Sequence, residues 1–120
     1  MTTVAIAERL VFLCKEGKFI QAQQELYDAA IISIDPDGSR TIGATNMHLK
    51  EQRFLDSLEK IHSISFSNPL IAGWYFTVKL RMEIEIKNIG YKEFEEICVY
   101  EARDGKIIFE QFFRNMPKIV

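Results

Sequence analysis

Residues 75–87 contain the feature that most constrains the fold, an unbroken alternation of apolar and polar side chains. Every even-numbered position from 76 to 86 is apolar, and every odd-numbered position from 77 to 87 is polar or charged. Successive side chains of a strand point to opposite faces of a sheet, so the pattern predicts one long strand with a single buried face. The chain is therefore expected to fold around a sheet whose other face meets water or polar partners.

Two further strands are predicted at residues 93–103 and 106–114. They meet at Asp104-Gly105, a dipeptide favoured in two-residue hairpin turns because both positions accept a positive φ. Their alternation fails, since the residues from Ile97 to Tyr100 are all apolar. Both faces of this hairpin therefore need to be buried, and no predicted helix remains to pack against the second face. The economical inference is a second copy of the chain packed against the sheet.

The first half of the chain reads mainly as helix. Apolar residues recur at helical spacing over residues 3–16, and Gly17 stands where a helix cap belongs. A second amphipathic helix is predicted over 18–28 and a third over about 45–60. The β-branched run AIISI at residues 30–34 reads as a strand between them.

Composition narrows the class of protein. A chain of 120 residues, 48% apolar and 27% charged, suits one domain spanning residues 1–120. The net charge of −2 and the interspersed acids and bases argue against a nucleic-acid partner. No signal peptide or membrane span is predicted. Cys14 and Cys98 both lie in apolar runs, which suits free thiols in a reducing cytoplasm.

Three stretches together resemble a known superfamily. They are ERLVFLCKEGKFIQAQQELYDAAIISIDPDGS, Gly43 at the start of the third helix, and EEICVYEARDGKIIFEQFFR near the end. Their order and spacing are similar to the SnoaL-like domains of the nuclear transport factor 2-like superfamily, which has the cystatin-like fold. The resemblance implies an α+β cone, in which a curved antiparallel sheet is lidded by three helices from the N-terminal half. It also implies a pocket and, commonly, a homodimer, but it does not specify an activity.

Ketosteroid isomerase is the informative relative within that superfamily. Asp35, followed by Pro36 and a turn, resembles its proton-abstracting aspartate. The isomerase also uses a tyrosine and a protonated aspartate as donors to the substrate oxygen, and counting along the chain places these at Leu10 and Ile97. Losing one such donor typically costs about 10²–10³ in rate. The two aliphatic residues therefore argue against steroid-isomerase chemistry of that type.

The same comparison implies which side chains line the pocket. Most of them are apolar, which indicates a cavity suited to a small hydrophobic molecule. The expected lining residues are Leu10, Tyr27, Val78, Leu80, Met82, Ile84, Ile97, Val99, Glu101, Ile108, Glu110 and Phe112.

Three residues, Asp35, Glu110 and His48, are candidates for acid–base chemistry. Asp35 is a pocket carboxylate or only the residue that begins the Pro-Asp-Gly turn. Glu110 lies among apolar residues, where an ionised carboxylate is costly without a partner. His48, early in the third helix, could carry a proton if the pocket opens there. Tyr27 either points its hydroxyl into the cavity or packs in the core. The two histidines are too few and too far apart to predict a metal, and no cofactor motif is present.

These observations favour a cytoplasmic, homodimeric SnoaL-like domain that binds a small apolar or amphipathic molecule. One alternative is a lyase, isomerase or cyclase in which Asp35 is the general acid–base. Another is an accessory interaction domain with a vestigial pocket. A solvent-facing Asp35 and an ion-paired Glu110 would favour this last alternative.

Overall fold

The computed structural model describes residues 1–115 and confirms an α+β fold of three helices and one sheet. The elements in chain order are α1 Thr3–Lys15, α2 Phe19–Leu26, β1 Tyr27–Ile34, β2 Arg40–Ile42, α3 Ala44–Asp56, β3 Leu58–Phe66, β4 Leu70–Ala72, β5 Tyr75–Ile86, β6 Gly90–Arg103 and β7 Lys106–Phe113.

The sheet is mixed rather than wholly antiparallel. Its strand order is β2-β1-β7-β6-β5-β3, with the short β4 also paired to β5. Every pairing is antiparallel except that of β1 with β7. The sequence predicted an antiparallel sheet, and this prediction is wrong for one pair of strands. The first strand lies beside the last and runs in the same direction.

The alternation in β5 has the predicted structural effect. Phe76, Val78, Leu80, Met82 and Ile84 are all buried. We call the face that carries these side chains the inner face, and the opposite side of the sheet the outer face. The three helices pack over the inner face, and their apolar side chains complete the core with it.

Two local predictions are confirmed in detail. Asp104 and Gly105 join β6 to β7 with φ values of 51° and 81°, the positive pair that this type of hairpin turn requires. Gly17 has a φ of 75°, and its N–H donates to the carbonyl of Cys14. The Lys18 N–H donates to the carbonyl of Leu13, so α1 ends in a Schellman motif.

The third helix is shorter than the sequence predicted. It ends at Asp56 rather than near residue 60, and Leu58 and Ile61 belong to β3 instead. Their apolar spacing is compatible with a helix, but they pair with Ile86 and Ile84 of β5. Long-range pairing with a strand of strong alternation therefore overrides the local helical spacing.

Candidate functional site

An open cavity of about 1180 Å³ lies among residues of the three helices and of β5, β6 and β7. Its volume is at or slightly above the upper end of the range usual for small-molecule sites, about 300–1,000 Å³. Just over half of its lining residues are aliphatic or aromatic, and most of the others are polar or charged. The aliphatic and aromatic ones are Leu10, Phe19, Ala22, Tyr27, Pro36, Met47, Phe54, Phe66, Leu80, Met82, Ile84, Ile86, Phe94, Ile97, Tyr100, Phe112 and Phe113.

Glu110 is the most completely buried polar group of the cavity wall, with no exposed surface. The Tyr27 hydroxyl donates to its Oε1 atom, and the Ser33 hydroxyl donates to its Oε2 atom at 2.6 Å. Burial raises the pKa of Glu110 to about 7, because the charged form loses its hydration, and the two hydroxyls oppose this rise only in part. A carboxyl with such a pKa can take or give a proton near neutral pH.

The parallel pairing of β1 with β7 brings Tyr27, Ser33 and Glu110 together. Ser33 lies directly opposite Glu110 in the register of the two strands. Tyr27 is the first residue of β1, immediately after α2, so its ring reaches back to the same carboxyl. On the other side of β7, Tyr100 of β6 is the register partner of Glu110 and also lines the cavity.

The sequence analysis missed several acidic residues of the cavity, of which Glu51 and Glu96 are the two that are half-buried. Burial raises the pKa of Glu51, on α3, to about 7, and Lys50 opposes that rise. Burial likewise raises the pKa of Glu96, on β6, and Arg114 at 3.7 Å opposes it. The spacing of Glu51 four residues after the buried Met47 is the signal that could have found it, since such residues share a helix face.

Asp35 begins the predicted turn and also lies in the cavity wall. Its carbonyl accepts from the Gly38 N–H at 2.8 Å, so it begins the predicted turn. It also lines the cavity, where its carboxylate forms an ion pair with Lys50. Glu110 is held by two hydroxyls rather than by an ion pair. The two conditions that would have favoured an accessory domain are therefore not met among residues 1–115.

The three acid–base candidates are not all brought together. Asp35 and Glu110 line the cavity, but His48 does not. The His48 Nδ1 atom instead lies 2.9 Å from the side-chain oxygen of Gln23, which is itself buried and lines the cavity.

Several predicted lining residues occupy other positions. Val78 is buried in the core and does not reach the cavity. On β6 the inner residues are Cys98 and Tyr100, because Cys98 lies opposite Val78 in the register. The interpretation of Ile97, Val99 and Glu101 as inward is therefore corrected: these side chains lie on the outer face, although Ile97 borders the cavity.

A β-bulge in β7 explains why Ile108 is not a lining residue. Ala102 pairs with Ile107 and Glu101 pairs with Phe109, so β7 advances two residues where β6 advances one. The extra residue is Ile108, and it does not line the cavity as expected. The bulge places Ile107 on the inner face with no exposed surface, and Glu110 follows on that face. The predicted lining residues that do line the cavity are Leu10, Tyr27, Leu80, Met82, Ile84, Glu110 and Phe112, together with Ile97 at its border.

Two features are absent from residues 1–115. No helix among them combines the length and apolar character needed to cross a membrane. Within residues 1–115, no three histidine, cysteine or acidic side chains come together as metal ligands would.

The sequence identifies the family. The model of the SnoaL-like domain family matches residues 1–114, and the chain belongs to this family. A comparison with curated proteins found no match.

Solved structures share the fold at low sequence identity. A protein from Mesorhizobium loti, assigned as a SnoaL-like polyketide cyclase, is 24% identical with a TM-score of 0.86, and the match covers 95% of this chain and 100% of that one. A cystatin-like protein of unknown function from Xanthomonas campestris is 14% identical with a TM-score of 0.80, covering 94% and 90%. A protein with a ketosteroid isomerase-like fold from Catenulispora acidiphila, solved with trimethylamine, is 14% identical with a TM-score of 0.76, covering 92% and 85%.

Proposed function

We propose that this protein binds a small apolar or amphipathic molecule in its central cavity. The observation that carries the proposal is the composition of the cavity wall. A largely apolar wall gains free energy when an apolar ligand displaces water from it, at roughly 25 cal/mol per Å² of buried surface. The wall also carries polar groups, and those set among its apolar side chains, such as Tyr27, Glu51 and Glu110, are suited to orienting such a ligand.

We further propose that the protein works in the cytoplasm as a homodimer joined through the outer face of its sheet. Both cysteines are free and buried, which is consistent with a reducing compartment. Ile97 and Phe113 are register partners on neighbouring strands, and each leaves almost half of its surface exposed. Together with Val99, they form what we call the outer patch. An exposed apolar patch of this kind is typical of an interface.

Filling the cavity is expected to weaken ligand binding. Ala22 on α2 is buried and lines the cavity, so a tryptophan there would occupy part of the space needed by a ligand. We expect Ala22→Trp to lower the affinity for prodan, a fluorescent dimethylamino-naphthyl ketone, by about tenfold, or roughly 1.4 kcal/mol.

The measurement is a fluorescence titration with prodan, with circular dichroism to confirm folding. Gln24→Trp is the matched control, because this exposed residue of the same helix lies outside the cavity wall. Equal affinities for the two variants, or no binding of prodan to the unmodified protein, would contradict the proposed function.

A charge in the outer patch is expected to dissociate the dimer. Ile97→Arg would place a guanidinium in an apolar contact, so we expect the dimer to weaken by at least about tenfold. Sedimentation velocity at micromolar concentration measures this change. Ser63→Arg, on the outer face of β3 opposite Glu83, is the control and should leave the dimer intact. An unmodified protein that sediments only as a monomer would refute the dimer.

A further inference from the structure

The hydrogen bond between Tyr27 and Glu110 can exist in two forms, and both residues line the cavity. Glu110 has no exposed surface, and two hydroxyl groups, those of Tyr27 and Ser33, are its hydrogen-bonding side chains in the described part of the chain. The position of one proton therefore decides what the pair offers to a ligand.

When Glu110 is ionised, its carboxylate has no hydrogen to donate. Tyr27 must then donate its only hydrogen to Oε1, and Ser33 donates to Oε2. In this form the Tyr27 oxygen presents only lone pairs to the cavity. A ligand oxygen placed beside it would meet a second acceptor and a negative charge.

When Glu110 is protonated, the direction of the first bond reverses. The carboxylic acid donates from Oε1 to the Tyr27 oxygen, while Oε2 still accepts from Ser33. The Tyr27 hydrogen is then free to point into the cavity. Both oxygens of Glu110 keep a hydrogen-bonding partner in this form.

The surroundings of Glu110 place the change between these forms near neutral pH. The facing ionisable groups are Lys50 and Glu51 on α3, Tyr100 and Cys98 on β6, and Cys14 on α1. Lys50 is the one cation of this set, and it is already paired with Asp35. Burial therefore dominates and raises the pKa of Glu110 to about 7.

We propose that Tyr27 is a ligand-binding donor controlled by Glu110, so that the cavity selects apolar molecules carrying a hydrogen-bond-accepting oxygen, such as a ketone. This inference rests on the proposed ligand-binding function and specifies its ligand class. Tyr27 donates to the ligand oxygen when Glu110 is protonated, and it turns back to the carboxylate when Glu110 is ionised.

Two probes that differ only in the acceptor test the inference. Prodan carries the ketone, and its carbonyl-free analogue has a methylene group in place of the C=O. One hydrogen bond contributes about fivefold in affinity. We expect prodan to bind about fivefold more tightly well below the pKa of Glu110 than well above it, while the analogue binds equally at both.

Two variants separate the donor from its control. Tyr27→Phe should lower the affinity for prodan about fivefold at acid pH and remove its pH dependence, without affecting the analogue. Glu110→Gln should hold the acid-pH affinity at every pH, because the glutamine amide donates to Tyr27 permanently. Circular dichroism checks that both variants fold, and the two-probe comparison on the unmodified protein needs no variant.

The possible failures are distinguishable. If both probes bind but respond identically to pH, or if Tyr27→Phe keeps the full affinity for prodan, the role of Tyr27 is overturned while ligand binding stands. If neither probe binds at any pH, the proposed function itself fails.

Discussion

Replacing Phe76 by alanine is expected to remove about 3–5 kcal/mol from the free energy of unfolding. Phe76 is 2% exposed at the centre of the inner face. Its ring stacks on that of Tyr100 with centroids 4.7 Å apart, and Tyr100 in turn meets the edge of Phe112 at 6.4 Å. The substitution would remove the first ring of this series and leave a cavity beneath the two rings that line the binding site.

Urea unfolding followed by circular dichroism measures the loss. Tyr91→Ala is the matched control, because Tyr91 is an aromatic residue of the neighbouring strand with 52% of its surface exposed. We expect that control to cost no more than about 1 kcal/mol. Similar losses for the two variants would mean that the stack does not carry the stability that its burial indicates.

Replacing Glu110 by glutamine is expected to stabilise the protein at alkaline pH by up to about 3 kcal/mol. The pKa of Glu110 is about 7 in the folded protein, against an ordinary value of 4.5. Between these values the folded state binds a proton that the unfolded state has released, so stability falls as pH rises through this window. The loss is complete above pH 7, where the folded protein must hold a buried charge.

Glutamine cannot ionise, and its amide can donate to Tyr27 while its carbonyl accepts from Ser33. The variant and the unmodified protein should therefore have similar stability near pH 4.5 and diverge as pH rises to about 8. Urea unfolding across this range measures the difference. Glu59→Gln, an exposed substitution in β3, should leave the pH profile unchanged. A Glu110→Gln profile that still falls as steeply as that of the unmodified protein would show that Glu110 is not the titrating group, although the half-buried Glu51 is expected to retain part of the slope.

The proposed binding site was only partly predictable from the sequence. Tyr27 and Asp35 were identified from the resemblance to the superfamily, and Glu110 because a carboxylate among apolar residues stands out locally. Their partners were not, since Ser33 and Lys50 acquire their roles only when strands and helices distant in sequence are brought together. Glu96 was concealed by its position among other charged residues of β6.

Some parts of the fold were determined by the sequence itself. The alternation of β5 determined which of its side chains are buried, because the two-residue period of a strand leaves one assignment that buries the apolar set. Asp104-Gly105 determined the final hairpin, and Gly17 determined the end of α1, because both sites require a positive φ that few other residues accept.

Tertiary structure alone decided the faces of β6 and β7. From Ile97 to Tyr100 every residue is apolar, so no alternation tells which side chains point inward. The pairing of Cys98 with Val78 makes that choice, and the bulge at Ile108 moves the inner face of β7 by one residue. A one-residue change of register moves a whole set of side chains to the other face, and register is set by contacts between distant parts of the chain. The same contacts place β1 parallel to β7 and thereby bring Ser33 and Tyr27 to Glu110.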